Sequence, residues 1–171
     1  MLLVVYPSES ATRKDEVAWI VNRTRTNIAE SVQTSVVSVY HTITSSDLSD
    51  LLADRLVVYA DIVHDVPSGL RSERIFEIGD GLLDISLFLS GLIDSASKAR
   101  IPLDVIFHNF SGLIHNLGDE DMFRLITYKA AKLDERTNLI LFIYPRSHAE
   151  RVWEKFKAQA HEVIKIEGHH I

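Results

Sequence analysis

Six short apolar runs, rich in β-branched residues and separated by segments of helical rather than hairpin character, constrain this chain more than any other feature. Leu2 to Tyr6, Thr34 to Tyr40, Leu56 to Ile62, Leu103 to Phe107, Leu139 to Tyr144 and His161 to Ile166 all have strand length and strand chemistry. The first, LLVVY, is apolar throughout, as a strand buried on both faces must be, whereas the last, HEVIKI, alternates and reads as an edge. Between the runs lie helical spacings. Val17, Ile20, Val21, Thr24 and Ile28 mark a helix over Asp15 to Glu30, and Ser45 or Ser46 offers an N-cap for a short helix over Leu48 to Asp54. Further helices are predicted over Ile78 to Lys98, Glu120 to Leu133 and Ala149 to Ala160, the last with Val152, Trp153 and Phe156 on its buried side. Strands that alternate with helices predict repeated βαβ units, hence an α/β domain with a mostly parallel sheet.

Two segments resist this scheme. His64 to Glu77 is broken by Pro67, Ser68 and Gly69 before the charged RSER, and reads as a mobile connection. The helix over Ile78 to Lys98 carries Leu82, Leu83, Ile85, Leu87, Phe88, Leu89, Leu92 and Ile93, which cover more than one stripe. Such a helix requires two apolar neighbours, either by being sandwiched within the domain or by building a subunit interface. Asp84 and Asp94 interrupt it and it is about five turns long, so it is not read as a membrane span.

A chain of 171 residues without repeats or low-complexity linkers fits one domain spanning 1–171. Its 18 Lys and Arg against 24 Asp and Glu leave a net charge of −6, which disfavours direct nucleic-acid binding. The absence of cysteine removes disulfides, thiolate metal sites and cysteine nucleophiles, and fits a reducing, cytoplasmic setting. The opening MLLVVYPSES has too short an apolar stretch for a signal peptide, with no positive charge before it.

In an open parallel sheet, ligands bind beyond the carboxyl ends of the strands. Those ends present Pro7 to Arg13, His41, Asp61 with His64 and Asp65, His108 with Asn109, and Tyr144 with Arg146. The loop PSESATRK lies between the first strand and first helix, where a phosphate loop belongs, and it contains Ser8, Ser10, Thr12, Arg13 and Lys14. A phosphate loop needs glycines so that its N–H groups can turn inward, yet the first glycine of the chain is Gly69, and Glu9 adds negative charge. A competing reading takes Asp61, His64 and His108 as ligands of zinc or manganese, should the fold bring them together. Neither Ser8 nor Ser111 lies in a nucleophile elbow. Arg13, Lys14, Arg23 and Arg25 are spread around several helix faces and read as solvated charges.

The segment from Ile101 to Gly168 resembles the second half of the RecA-like ATPase domains of the KaiC and archaeal RadA superfamily, where a strand ending in Asp-Ser-Leu-Ser leads into helix, strand, helix and terminal strand. Here His108-Asn109-Phe110-Ser111 holds that place. Upstream, LLVVYPSESATRKDEVAWIVNRTR occupies the position of strand, phosphate loop and first helix, and SVVSVYHTITSSDLSDLL that of the following strand and loop. The resemblance covers most of the chain and implies a three-layer RecA-like domain whose mostly parallel central sheet is flanked by helices. It implies a vestigial nucleotide site at Ser8, Ser10, Thr12, Arg13, Lys14 and His108. The loop lacks its glycines, and a histidine replaces the acidic residue that supports magnesium, a hard ion that prefers oxygen. The resulting expectation is a non-catalytic interaction or regulatory protein needing no cofactor, which self-associates or partners an active ATPase paralogue. The alternatives are an atypical ATPase binding ATP and Mg²⁺, and a metal-dependent hydrolase using Asp61, His64 and His108.

Overall fold

The computed structural model describes residues 1–72 and 74–169. In chain order the elements are β1 (Leu2–Pro7), α1 (Arg13–Ala29), β2 (Gln33–Val39), a 3-10 turn (Ser45–Leu48), β3 (Val57–Val63), β4 (Gly69–Ser72), β5 (Ile75–Gly79) and α2 (Leu82–Ala99). There follow β6 (Leu103–His108), α3 (Phe110–Leu117), α4 (Asp119–Ala130), β7 (Thr137–Phe142), a second 3-10 turn (Pro145–Ser147), α5 (Glu150–Gln159) and β8 (Glu162–Ile166). The strands form one sheet in the order β4-β5-β3-β2-β6-β7-β1-β8, parallel throughout except for β4 against β5.

Alternation along the strands divides the core in two. Leu2, Val4, Val37, Val39, Val105, Phe107 and Leu141 face one side, where Leu89 of α2, Leu113 of α3, Ile126 of α4 and Phe156 of α5 cover them. Leu3, Val5, Val36, Tyr59, Ile106, Ile140 and Phe142 face the other, covered by Ile20 and Trp19 of α1 and by Ile43, Leu48 and Leu51. The result is three layers. Right-handed crossovers explain the division. From β1 the chain steps past two strand positions to β2 and on to β3 and β5. It then reverses, and β6 and β7 fill the gap before β8 joins beyond β1. Connections running in opposite directions must lie on opposite faces. Because β1 and β2 are not neighbours, the order also differs from both common doubly wound orders, in which they are.

The predicted strands are all present, but four connections differ. Instead of a helix over Leu48 to Asp54, a single 3-10 turn begins after Thr44, because Asp47 accepts from the Thr44 N–H at 2.8 Å and bends the segment into a capped turn. The expected mobile connection from His64 to Glu77 contains a hairpin, β4 and β5, in which β5 extends the parallel sheet beside β3. The charged run concealed it: Arg71, on the edge strand β4, pairs with Glu77 of β5 across the hairpin. Ile78 therefore lies in β5, and the following helix starts at Leu82. Residues read as a βα loop after Phe110 form α3, whose N–H at Gly112 is capped by Asn109 Oδ1 at 3.2 Å. Gly118, at φ 94°, then separates α3 from α4.

Within the single chain helix α2 is covered on its sheet side. Ile85, Leu89 and Ala96 are buried against the sheet, while Leu83 and Leu87 remain 71% and 62% exposed. Among the described residues no helix is long and apolar enough to cross a membrane.

Candidate functional site

At the carboxyl ends of β1 and β7, the chain leaves neighbouring strands towards opposite faces, which opens a crevice of about 470 Å³. Tyr6, Ser8, Glu9, Tyr144, Arg146 and Lys165 line it. Three N–H groups of the loop bordering it are engaged within the protein. Ser8 N–H donates to Ile166 O at 2.7 Å, Ala11 N–H to Ser8 O at 3.1 Å and Thr12 N–H to Asp15 Oδ2 at 2.8 Å. Ser8 Oγ and Ser10 Oγ lie 3.0 Å apart. No residue from 8 to 14 has a positive φ, so the alternating backbone of an anion-binding nest is not formed there. Arg13 turns away, its Nε donating to Thr42 O at 3.1 Å and its guanidinium pairing with Asp47. Lys14 is exposed, and Arg146 pairs with Glu9 at the crevice mouth.

The segment after β8 lies over the same loop. Gly168 N–H donates to Ser10 Oγ at 3.2 Å, and a Cβ on Gly168 would stand 2.2 Å from Ser10 O, which only glycine permits. His169 Nδ1 meets Asp15 Oδ1 at 2.7 Å. Hydrogen bonding from the Thr12 backbone, and then from His169, lowers the Asp15 carboxyl to about 2.

Behind the loop is a polar network with a buried centre, Glu16 and His108, and half-buried flanks, Thr42 and Tyr144. His108, at the end of β6, places Nε2 3.0 Å from Oε1 of Glu16 in the first turn of α1, and both side chains are buried. Tyr144 O–H donates to the same Glu16 oxygen at 2.6 Å. Thr42 Oγ1 lies 2.8 Å from His108 Nδ1 and donates to Val39 O at 3.0 Å, so it uses its own proton elsewhere and accepts from the imidazole. Burial, reinforced by the Glu16 carboxylate, pushes the Tyr144 phenol well above its ordinary pKa. Glu16 was not among the residues expected here. Its signal was present: Glu16, Ile20, Thr24 and Asn27 form the buried stripe of α1, a carboxylate in line with core residues at helical spacing.

Asp61, His64 and His108 do not come together. Asp61, whose carboxyl is raised first by burial and further by Glu77, holds Nδ1 of His41 and accepts from the His41 N–H at 3.2 Å. His64 pairs with Asp80, which also accepts from Tyr40 O–H at 2.9 Å and from Asn116 Nδ2 at 2.9 Å. Each therefore has a different partner, and among the described residues no group of three His, Asp or Glu side chains could hold a metal ion. The backbone at these strand ends is unusual. Tyr40, His41, Asp65 and Asn109 all adopt positive φ between 54° and 64°, although none is glycine. Ser111, on α3, is buried; its Oγ accepts from Tyr144 N–H at 2.8 Å and lies 2.7 Å from His148 Nε2.

No protein-family model matches this chain, and no curated protein does. A solved structure from Pyrococcus horikoshii OT3, described only as a structural study, is similar with a TM-score of 0.56. The match covers 97% of this chain and 81% of that one at 13% identity, which shows a shared α/β fold and nothing of function.

Proposed function

We propose that this protein is a RecA-like domain that acts through protein contacts, as an interaction or regulatory module, with its nucleotide site replaced by internal bonds. The network that joins buried Glu16 and His108 to Tyr144 carries this reading. In the superfamily that the sequence resembles, the loop supplies a cation and the later strand end an acid. Here α1 brings the acid, Glu16, and the strand end brings the imidazole, His108, and the two satisfy one another. An incoming phosphate would meet a carboxylate in that place, and magnesium an imidazole. The three loop N–H groups bonded to Ile166, Ser8 and Asp15, together with the tail across Ser10, support the same reading.

Titration calorimetry with ATP and Mg²⁺ tests it, and no saturable heat is expected at millimolar nucleotide. Micromolar binding abolished by replacing Arg13 and Lys14 overturns it in favour of an atypical ATPase. That second reading draws support from the crevice between β1 and β7, where Arg146 and Lys165 stand beside two tyrosines. Binding that survives replacement of Arg13 and Lys14 but is lost in Arg146→Ala would locate such a site in the crevice instead.

A further inference from the structure

We infer that the exposed face formed by α2 and α4 is the contact surface of a twofold homodimer. The inference rests on the interaction reading above and names its partner, a second copy of this chain.

Among the described residues, seven large apolar side chains are exposed, and four of them, Leu82, Leu83, Leu87 and Tyr128, lie on α2 and α4. Leu82 and Leu83 line a groove of about 920 Å³ whose other wall is Leu125 and Tyr128. Beneath it the two helices are tied together, Lys129 Nζ donating to Ser90 Oγ at 2.5 Å. Lys132 Nζ lies 4.0 Å over the Tyr128 ring, so the groove is a built surface whose exposed leucines, among the described residues, have no cover within the chain. Monomeric proteins seldom leave such a face open to water.

Charge identifies what covers it. The groove wall carries one acid and one base, Asp121 and Arg124, both exposed and one helical turn apart on α4. Among the described residues neither side chain forms a hydrogen bond or an ion pair in its own chain, although Asp119, two residues earlier, is paired with Arg151 and Lys155. An acid and a base at this spacing are complementary to themselves in reverse. A copy turned about a twofold axis perpendicular to α4 brings Asp121 of each chain against Arg124 of the other and closes leucines over leucines. A foreign partner would need a matching pair by coincidence, whereas a second copy has one by construction. Helices of 18 and 12 residues present a face about 27 Å long and about 20 Å wide. That is on the order of 500 Å² before corrugation, below the roughly 800 Å² per partner of a standard interface, so a dimer with micromolar affinity is expected.

Sedimentation equilibrium tests the inference on the full chain. The wild type is expected to dimerise in the micromolar range, and Leu83→Glu to weaken association at least about tenfold while far-ultraviolet circular dichroism remains unchanged. Asp121→Arg and Arg124→Asp should each be monomeric alone. Mixed in equal amounts they should associate, because the mixture restores both ion pairs, and the double variant D121R/R124D should dimerise as the wild type does. A wild type that stays monomeric to about 200 μM, or single charge variants that do not recover on mixing, overturns the inference. Either result leaves the interaction reading standing with a different partner. Nucleotide binding would remove that reading while leaving a measured dimer in place.

Discussion

The two ends of this molecule's surface chemistry are the reverse of what their compositions suggest. At the carboxyl ends of β1, β6 and β7, a buried carboxylate and a buried imidazole are matched to each other and to the half-buried phenol of Tyr144. On the outer side of α2 and α4, leucines stand in water with no cover in their own chain. Internal satisfaction, rather than polarity, separates a closed region from an available one. The network turns its hydrogen bonds on itself, whereas the groove has apolar area and, among the described residues, two unpaired charges.

The largest effect should come from breaking the sealed region. Glu16→Ala leaves the buried His108 ring and the half-buried Tyr144 hydroxyl without the group they share, and should lower unfolding free energy by about 2–3 kcal/mol in urea titrations. A loss below about 1 kcal/mol would mean that water reaches the network and that the contrast between the regions is false. Next is Gly168→Ala. Its Cβ cannot lie 2.2 Å from Ser10 O, so the tail must move off the loop, at a cost of about 1–3 kcal/mol. Faster amide exchange at Ser8 and Ala11 would register the movement.

A smaller effect follows from His148, whose basicity is lowered first by burial and then by His115, stacked against it at 4.6 Å. Its folded pKa lies below the unfolded value, so the unfolded chain takes up the proton first as pH falls. The contribution to stability is therefore present above the ordinary histidine range and lost as pH drops from there towards the folded pKa. His148→Asn should flatten the thermal midpoint across that window, and an unchanged slope would place the titration elsewhere. The smallest stability change belongs to the open region: Leu83→Glu, measured at dilution, should shift unfolding by no more than about 0.5 kcal/mol. A large loss there would show that Leu83 supports the fold of the single chain.

Strands and most helices were legible because their signals are local. LLVVY and LILFIY name themselves as buried strands, and Val152, Trp153 and Phe156 name the inner side of α5. The β4–β5 hairpin was not legible, since Arg71 and Glu77 look like loop charges until their pairing across it is known. His108 was found from its position at a strand end, but Glu16 was missed, because a glutamate early in a helix resembles ordinary surface chemistry unless the stripe containing Ile20 and Thr24 is known to face inward.

From its sequence alone, this protein had strand-forming runs, amphipathic spacings and a first loop without glycine, all consequences of steric preferences acting over a few neighbouring residues. The tertiary structure alone decided that two later strands would part β1 from β2, that Glu16 would meet an imidazole 92 positions away, and that α2 would keep one side uncovered. Those outcomes depend on the direction of each crossover, which places distant side chains together and is not encoded in any local period.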